Sequence, residues 1–275
     1  MKPKKHMSIS EFFDFTHPPF GDTYAIKTVF LTQRDRRITR QSINLIRQGK
    51  SFALTGPSGS GKSTLIRHVI NSLDPNSYRV CYIHYGGLQR SGILKAIADE
   101  LGINAGGRAL PLLVKIQKYI FALGSQAKPL YPIFVIDDAQ LMEPEALMDL
   151  CSLTVSPAKR TISASIALVG DEALAKKLAL HAMTPIRTRM TVIFNQQSLD
   201  EKESEAFIAF RLKTVQADEN LFDPDALSLV CANCRGNRRQ IMNMGTLLLD
   251  EAFYREENTI GANLIYESDL FDIAE

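Results

Sequence analysis

Apolar residues along the chain follow two different patterns, and segments with one pattern alternate with segments of the other. Short, nearly continuous apolar runs, which are typical of buried strands, occur at 51–55, 79–84, 133–136, 165–169 and 191–194. Between these runs apolar residues return every three or four positions, as in amphipathic helices. These helical segments are 32–48, 63–72, 93–101, 110–123, 145–153 and 172–180. The alternation predicts an α/β fold in which a parallel sheet is flanked by helices.

The pattern changes near residue 197, after which no strand is indicated. The segments 201–215, 224–232 and 238–254 all have helical spacing. We therefore expect two domains. Residues 1–197 comprise an N-terminal segment and the α/β domain, and residues 198–275 form a small C-terminal helical lid domain that ends in an acidic tail.

Composition favours a globular protein of the reducing cytoplasm. Hydrophobic residues make up 45% and charged residues 23% of the 275 positions, which is ordinary for a globular domain. The longest apolar runs are far shorter than the roughly 20 residues of a membrane helix. The basic N-terminus is followed by no signal-peptide pattern, and the four cysteines have no disulfide-framework spacing. These features predict a cytoplasmic protein without a membrane partner.

Charge is distributed unevenly, although the net charge is only +2. Seven lysines and arginines crowd positions 27–50, whereas acidic residues dominate 250–275. Three interpretations stay open: a surface that binds nucleic acid, head-to-tail attraction between subunits, or ordinary solvated surface.

The segment 56–63 contains the most specific motif of the chain, G-x-x-x-x-G-K-[ST], between a predicted strand and a predicted helix. Its glycines allow successive N–H groups to turn inward around phosphate oxygens, and the next helix points its N-terminus at the same anion. The lysine reaches the β- and γ-phosphates and the serine binds Mg²⁺. The motif predicts an ATP site made by Gly56, Pro57, Ser58, Gly59, Ser60, Gly61, Lys62, Ser63 and the adjoining Thr64.

Two aspartates end the apolar strand 133–136. In a parallel sheet this strand end lies at the same edge as the phosphate loop. We expect Asp137, together with Ser63, to hold Mg²⁺. Asp138 is expected to orient the attacking water, and since aspartate is one methylene shorter than glutamate, hydrolysis is expected to be slow.

Three further residues are candidates for contact with the nucleotide. Asp171 follows the strand 165–169, where it either senses the γ-phosphate or caps the next helix. Arg189 precedes the last strand and is the preferred arginine finger toward a neighbouring subunit. Arg239 lies in the first turn of a lid helix and is expected to touch phosphate. The pair Cys231 and Cys234 lacks a second pair of ligands, so magnesium is the one metal predicted.

Five motifs, in their order and spacing, resemble the ExeA/GspA-type AAA+ ATPases and the related transposition helper ATPases of the TnsC, TniB and IstB type. The resemblance spans nearly the whole chain. Two positions depart from the family pattern: Asp138 replaces a glutamate, and Asp171 stands where Gln, Asn or Thr is usual. The motifs are Pro18-Pro19-Phe20, the phosphate loop, Asp137-Asp-Ala-Gln140, Leu168-Val-Gly170 and Gly236-x-x-Arg239.

The resemblance implies a P-loop AAA+ fold and an ATPase that forms homo-oligomeric rings or helical filaments with ATP. Transposition helpers assemble on duplex DNA without sequence preference, and they engage a transposase and a target-selection protein. DNA contacts are implied after the second strand, where Arg90 and Arg108 are candidates or are ordinary exposed arginines. Secretion-type members carry a membrane span and a cell-wall-binding region after the ATPase module. Their absence from this sequence favours the transposition interpretation.

Two other functions stay open at this point. One is a secretion or envelope-assembly ATPase that does not bind DNA. The other is a nearly inactive scaffold gated by nucleotide, because Asp138 is short for a catalytic position.

Overall fold

The structure is a computed structural model and describes residues 7–21, 28–84, 87, 90–106, 110–154 and 163–268. The elements follow the alternation expected from the sequence. In chain order they are α1 Ile9–Phe12, α2 Gln33–Arg47, β1 Ser51–Thr55, α3 Lys62–Asn71, β2 Tyr78–His84, α4 Arg90–Leu101, α5 Leu112–Gly124, β3 Tyr131–Asp137, α6 Pro144–Leu153, β4 Ser165–Val169, α7 Glu172–Ala179, α8 Thr184–Arg187, β5 Met190–Asn195, α9 Glu201–Thr214, α10 Pro224–Cys234, α11 Arg238–Tyr254 and α12 Ala262–Glu267.

The five strands form one parallel sheet in the order β2-β3-β4-β1-β5. Every residue of β1 and β4 is buried, because these apolar strands have neighbours on both edges and helices over their faces. β1 lies between β4 and β5, so the turn that follows β1 leaves from the interior of the sheet. The predicted fold class is confirmed.

Both faces of the sheet are buried, since alternate residues along each strand point to opposite sides. One face packs in a single core with α4 to α8, through strand residues such as Ala53, Ile83 and Phe134. Residues between them, such as Leu54 and Val135, are also buried. α2 contacts β1 and α3 contacts β4, so these two helices supply cover for the second face.

Contacts divide the chain into two compact units. The α/β unit consists of Gln33–Pro57 and Lys62–Gln196. The helical unit consists of the described residues within Met1–Thr32, Ser58–Gly61 and Gln197–Glu275. The domain boundary inferred from sequence, between residues 197 and 198, stays a prediction.

In the helical unit the N-terminal segment packs on the C-terminal helices. Phe15 and Phe20 belong to the same buried cluster as residues of α9 to α12. Arg211 of α9 is 9% exposed, and its guanidinium donates to the carbonyls of Pro19 at 2.6 Å and Gly21 at 3.2 Å. A buried arginine needs such acceptors because an unpaired buried charge is costly.

Local signals explain how the lid helices begin. Asp200 caps α9 by accepting from Glu203 N at 2.8 Å, and the Glu203 carboxylate accepts from Asp200 N at 3.1 Å, which is a capping box. Asn237 caps α11 by accepting from the N–H groups of Arg239 and Gln240. The short helices α1, α8 and α12 were missed by sequence periodicity, which needs more than one turn to register.

The four cysteines are buried and form no disulfide. Burial raises the pKa of Cys81 and Cys234 to about 12, so these thiols stay neutral. Within the part of the chain that the structure describes, no helix combines the length and the hydrophobicity needed to cross a membrane.

Gly245 of α11 provides a test of how the N-terminal segment docks. A Cβ at Gly245 would lie 2.6 Å from a ring carbon of Phe20, so Gly245→Ala must displace a buried phenylalanine. We expect the variant to lose about 1–3 kcal/mol of unfolding free energy. Urea unfolding followed by circular dichroism measures this loss.

The matched control is Gly124→Ala at the end of α5, where an added Cβ meets nothing within 4 Å. There alanine is expected to leave the urea midpoint unchanged or to raise it slightly, because alanine has the higher helix propensity. Equal midpoints for the two variants would contradict the packing of Phe20 against α11.

Candidate functional site

The loop 56–63 connects β1 to α3 and has an unusual backbone. Gly56, Gly59 and Gly61 have φ values of 149°, 77° and 94°, which side-chain-bearing residues rarely adopt. At Gly56 the reason is also steric, because a Cβ would lie 2.0 Å from the carbonyl oxygen of Gln196. The loop therefore presents its backbone in the curved form expected of an anion nest.

Lys62 is the first residue of α3 and folds back over the start of the loop. Its ammonium donates to the carbonyls of Gly56 at 3.0 Å and Pro57 at 2.8 Å. Ser63 and Thr64 follow in the first turn of α3, and both are exposed. In the α/β unit, then, a positive charge and a hydroxyl lie beside the N-terminus of a helix, where anions are favoured.

The remaining loop residues, Ser58–Gly61, belong to the helical unit and contact the start of α11. Asn237 Nδ2 donates to the Ser58 carbonyl at 2.9 Å, and Arg239 N donates to the Gly59 carbonyl at 3.2 Å. The Arg239 guanidinium lies 3.4 Å from Ser58 Oγ. Arg238 donates to the Ser60 carbonyl. Sequence reasoning selected Arg239 and missed its neighbours Asn237 and Arg238, which contact the same loop.

Ser60 has an unmet hydrogen-bonding capacity. The residue is 1% exposed, and its Oγ makes no hydrogen bond with any described residue. Buried hydroxyls are nearly always paired, so this atom fits a site whose partner is a ligand oxygen. Together with the three positive-φ glycines, it shows that the loop residues suit a bound phosphate.

Asp137 ends β3, buried at 3% exposure. The Tyr82 hydroxyl donates to Asp137 Oδ2 at 2.5 Å, and the Arg67 guanidinium of α3 lies 4.7 Å from the centre of the Tyr82 ring. Burial, and next the hydrogen bond to Asp137, raise the pKa of Tyr82 to about 12. The Tyr82 hydroxyl therefore stays protonated, and the hydrogen bond that it donates orients the Asp137 carboxylate. Sequence reasoning did not identify Tyr82 or Arg67.

Asp138 has a left-handed backbone conformation, with φ 56° and ψ 37°. Two side chains restrain its carboxylate: Gln140 Nε2 donates to Oδ1 at 3.1 Å, and His84 Nε2 lies 3.5 Å from Oδ2. His84 ends β2 and pairs in register with Asp137. His84 could have been identified from sequence, because the last residues of two neighbouring parallel strands lie side by side.

Asp171 performs the capping role that sequence left as one of two alternatives. Its Oδ1 accepts from Ala173 N at 2.8 Å at the start of α7. Its own N–H donates to Gln140 Oε1 at 3.3 Å, so Gln140 links Asp171 to Asp138. Sensing of the γ-phosphate by Asp171 stays a prediction.

Arg189 lies just before β5, and its guanidinium donates to the carbonyl of Cys151 in α6. An arginine carries five N–H donors, so one such bond leaves it able to make others. Arg187, at the end of α8, is exposed. Both arginines therefore lie just before the start of β5, and the hydrogen bond to Cys151 restrains Arg189.

Of the two arginines expected to contact DNA, Arg90 lies within the described residues. Arg90 begins α4, and its guanidinium forms a bidentate pair with Asp149 at 2.7 and 2.8 Å, so its charge is already partly neutralised. Arg108 lies outside the described residues.

Comparison with known proteins gives one family match and several relatives. A family model described as an AAA domain matches residues 46–178. General secretion pathway protein A of Aeromonas hydrophila is 25% identical over 256 residues, which cover 91% of this chain and 46% of that protein. The chain thus spans less than half of the length of that relative.

Solved structures match over most of the chain at low identity. The ORC2 protein of Aeropyrum pernix, in ADPNP and ADP complexes, has a TM-score of 0.71 and 14% identity, covering 92% of this chain and 71% of that one. The ORC1 protein of Aeropyrum pernix in complex with DNA has a TM-score of 0.67 and 14% identity, covering 91% and 67%. The chain therefore matches the AAA domain model over residues 46–178, just under half of its length, is similar to general secretion pathway protein A, and has the fold of the AAA+ ATPase structures.

Proposed function

We propose that this protein is an ATP-dependent, DNA-binding regulator of DNA transposition. It binds Mg·ATP, assembles as a ring or helical filament on duplex DNA of any sequence, and recruits or activates a transposase at the target. A target-selection protein is a further partner. The loop 56–63 carries the nucleotide part of the proposal, because its backbone and lysine suit a triphosphate.

The residues proposed to bind Mg·ATP lie in the loop, at the start of α3 and at the end of β3. The backbone of residues 56–61 binds phosphate oxygens, Lys62 neutralises them, and Ser63 and Asp137 hold Mg²⁺. When bound, the ion neutralises charge on the phosphate oxygens and so favours attack by water. Two hydrogen bonds support this role for Asp137 because they orient its carboxylate: the Tyr82 hydroxyl donates to Oδ2 at 2.5 Å and Asp138 N donates to Oδ1 at 3.1 Å. Each carboxylate oxygen keeps a further lone pair for a ligand.

Hydrolysis to ADP and phosphate is assigned to Asp138, which orients the water, and to Arg189, which acts across a subunit interface. Asp171 and Arg239 complete the proposed contacts with nucleotide. The contact of Arg239 with Ser58 and Gly59 supports its role, because the arginine lies against the loop that binds phosphate.

DNA is proposed as the partner on the basis of charge. Basic side chains crowd residues 27–50, and such a concentration suits a polyanion. The DNA complex of Aeropyrum pernix ORC1 is an example of this fold on DNA. At 14% identity it bears on the fold, so DNA binding by this chain is our proposal.

The match to general secretion pathway protein A supports a second candidate, a secretion-type ATPase that drives assembly of an envelope complex without binding DNA. The two candidates share the nucleotide site and differ in whether DNA binds. The experiment that separates them is binding of random-sequence duplex DNA, measured by fluorescence anisotropy at two salt concentrations with ATP, ADP or a slowly hydrolysed ATP analogue.

Lys62→Ala is expected to weaken ATP binding about 10- to 100-fold, because the variant loses a charge-assisted contact, and to abolish ATP-dependent assembly on DNA. Equilibrium nucleotide binding and electron microscopy measure the two effects. The control is Lys95→Ala, an exposed lysine of α4, which should behave as the wild type. Assemblies that form normally with Lys62→Ala would disprove gating by ATP.

Asp138→Glu tests whether the short side chain limits turnover. The longer carboxylate reaches farther, so steady-state hydrolysis is expected to rise several-fold. Asp138→Asn should lower hydrolysis by about 100-fold or more, because it removes the basic group. Identical rates in all three proteins would mean that Asp138 takes no part in hydrolysis, and they would argue against the scaffold interpretation, which depends on the short side chain of Asp138.

Arg189→Ala is expected to lower hydrolysis by about 1,000-fold, the effect of losing an arginine finger, while the affinity for ATP is kept. Arg187→Ala, two residues earlier and also exposed, is the matched control and should retain activity. The opposite result, with Arg187→Ala inactive and Arg189→Ala active, would assign the finger to Arg187.

A further inference from the structure

Five arginines of α2 are exposed, and four of them follow one face of the helix. Arg36, Arg37, Arg40 and Arg47 are spaced so that they lie along one face of the helix, and all four are exposed. Residues on the opposite face, among them Ile38 and Ile46, are buried. The helix is therefore fixed to the α/β unit by its apolar side and presents a row of guanidinium groups to solvent. We call these four residues the arginine row.

No carboxylate compensates the arginine row within the described residues. The one acidic residue of α2, Asp35, points inward with 3% exposure. It accepts a hydrogen bond from Gln196 Nε2 at 3.1 Å. None of the ion pairs found in the described part of the chain includes a member of the row. Like charges one turn apart repel each other, so the row weakens the helix and calls for another explanation.

The start of the row also shapes a concavity. A depression of about 540 Å³ is lined, among the described residues, by one glutamine and four arginines, namely Gln33, Arg34, Arg36, Arg37 and Arg40. Such a lining attracts anions and repels cations. Arginine, unlike lysine, forms two parallel hydrogen bonds with one phosphate group.

We propose that the arginine row binds the phosphate backbone of duplex DNA, without base readout. This inference rests on the proposed function and names its contact surface. From Arg36 to Arg47 the row extends about 16 Å along the helix axis. Over that length one strand of B-DNA presents about five phosphates. A straight, rigid row of that length matches an extended line of phosphates, and it leaves the pair between Arg90 and Asp149 intact.

An anionic membrane fits the row less well. A helix that lies in a bilayer surface must insert an apolar face, and the apolar face of α2 is already buried in the α/β unit. Between Arg40 and Arg47 the exposed residue is the polar Asn44, while Ile43 is half-buried, and Gln33 before the row and Gln48 after it are exposed and polar.

The test compares two triple variants that each remove three positive charges. The first is Arg36→Gln/Arg37→Gln/Arg40→Gln. The matched control is Lys118→Gln/Lys128→Gln/Lys176→Gln, which changes three exposed lysines elsewhere in the α/β unit. Binding of a random-sequence duplex is measured by fluorescence anisotropy across a salt series, with the slowly hydrolysed ATP analogue present.

The arginine variant is expected to bind DNA at least tenfold more weakly, and the slope of log affinity against log salt should become shallower by about 2–3, since each lost phosphate contact contributes about 0.9. The control should keep the wild-type slope. Arg36→Lys/Arg37→Lys/Arg40→Lys keeps the charges, so its slope should stay near the wild-type value while affinity falls a few-fold.

An arginine variant with wild-type affinity and slope would overturn the inference and leave the proposed function standing. It would also be overturned if the variant lost binding to phosphatidylserine vesicles or to a polyglutamate peptide while it kept binding to DNA. If the wild-type protein bound no duplex with any nucleotide, the proposed function itself would fail, and the inference would fail with it.

Discussion

Gly56 lies so close to the backbone of Gln196 that no side chain can be placed there, and much of the α/β unit depends on this contact. Gln196 follows β5, and its N–H donates to the carbonyl of Thr55 at 2.7 Å, at the end of β1. Its side-chain amide donates to Asp35 of α2. One residue therefore fixes the end of the central strand, the first turn of the phosphate loop and the orientation of α2. The contact with Gln196 at the end of β5 thus requires a glycine at the first position of the loop.

The fold class was predictable from sequence because buried parallel strands are continuous apolar runs and the helices between them are amphipathic. The loop 56–63 was predictable because its chemistry is local. The restraints on Asp138 were not, since His84 and Gln140 reach it from another strand end and from the following turn. Asn237 and Arg238 were missed for the same reason, being far from the loop in sequence, whereas Arg239 was selected because it lies in the first turn of a predicted lid helix and in the motif Gly236-x-x-Arg239.

Short physical connections join two anion-binding features of the chain. Lys62 and the loop glycines suit the phosphates of a nucleotide, and the arginine row suits the phosphates of a duplex. α2 contacts α3, the helix that Lys62 begins, and Asp35 meets Gln196, which packs against Gly56. A change in the loop on nucleotide binding thus has a route to α2 through groups in direct contact, and coupling between the two ligands is what the proposed function requires.

Coupling between two binding events is reciprocal: if ATP tightens DNA binding by some factor, DNA must tighten ATP binding by the same factor. The most direct test is therefore the affinity of the protein for a slowly hydrolysed ATP analogue, measured with Mg²⁺ in the absence and in the presence of saturating random-sequence duplex. The account predicts an affinity about 5- to 150-fold higher with DNA, the usual range for coupled sites. Equal affinities in the two conditions would contradict a nucleotide-gated assembly on DNA.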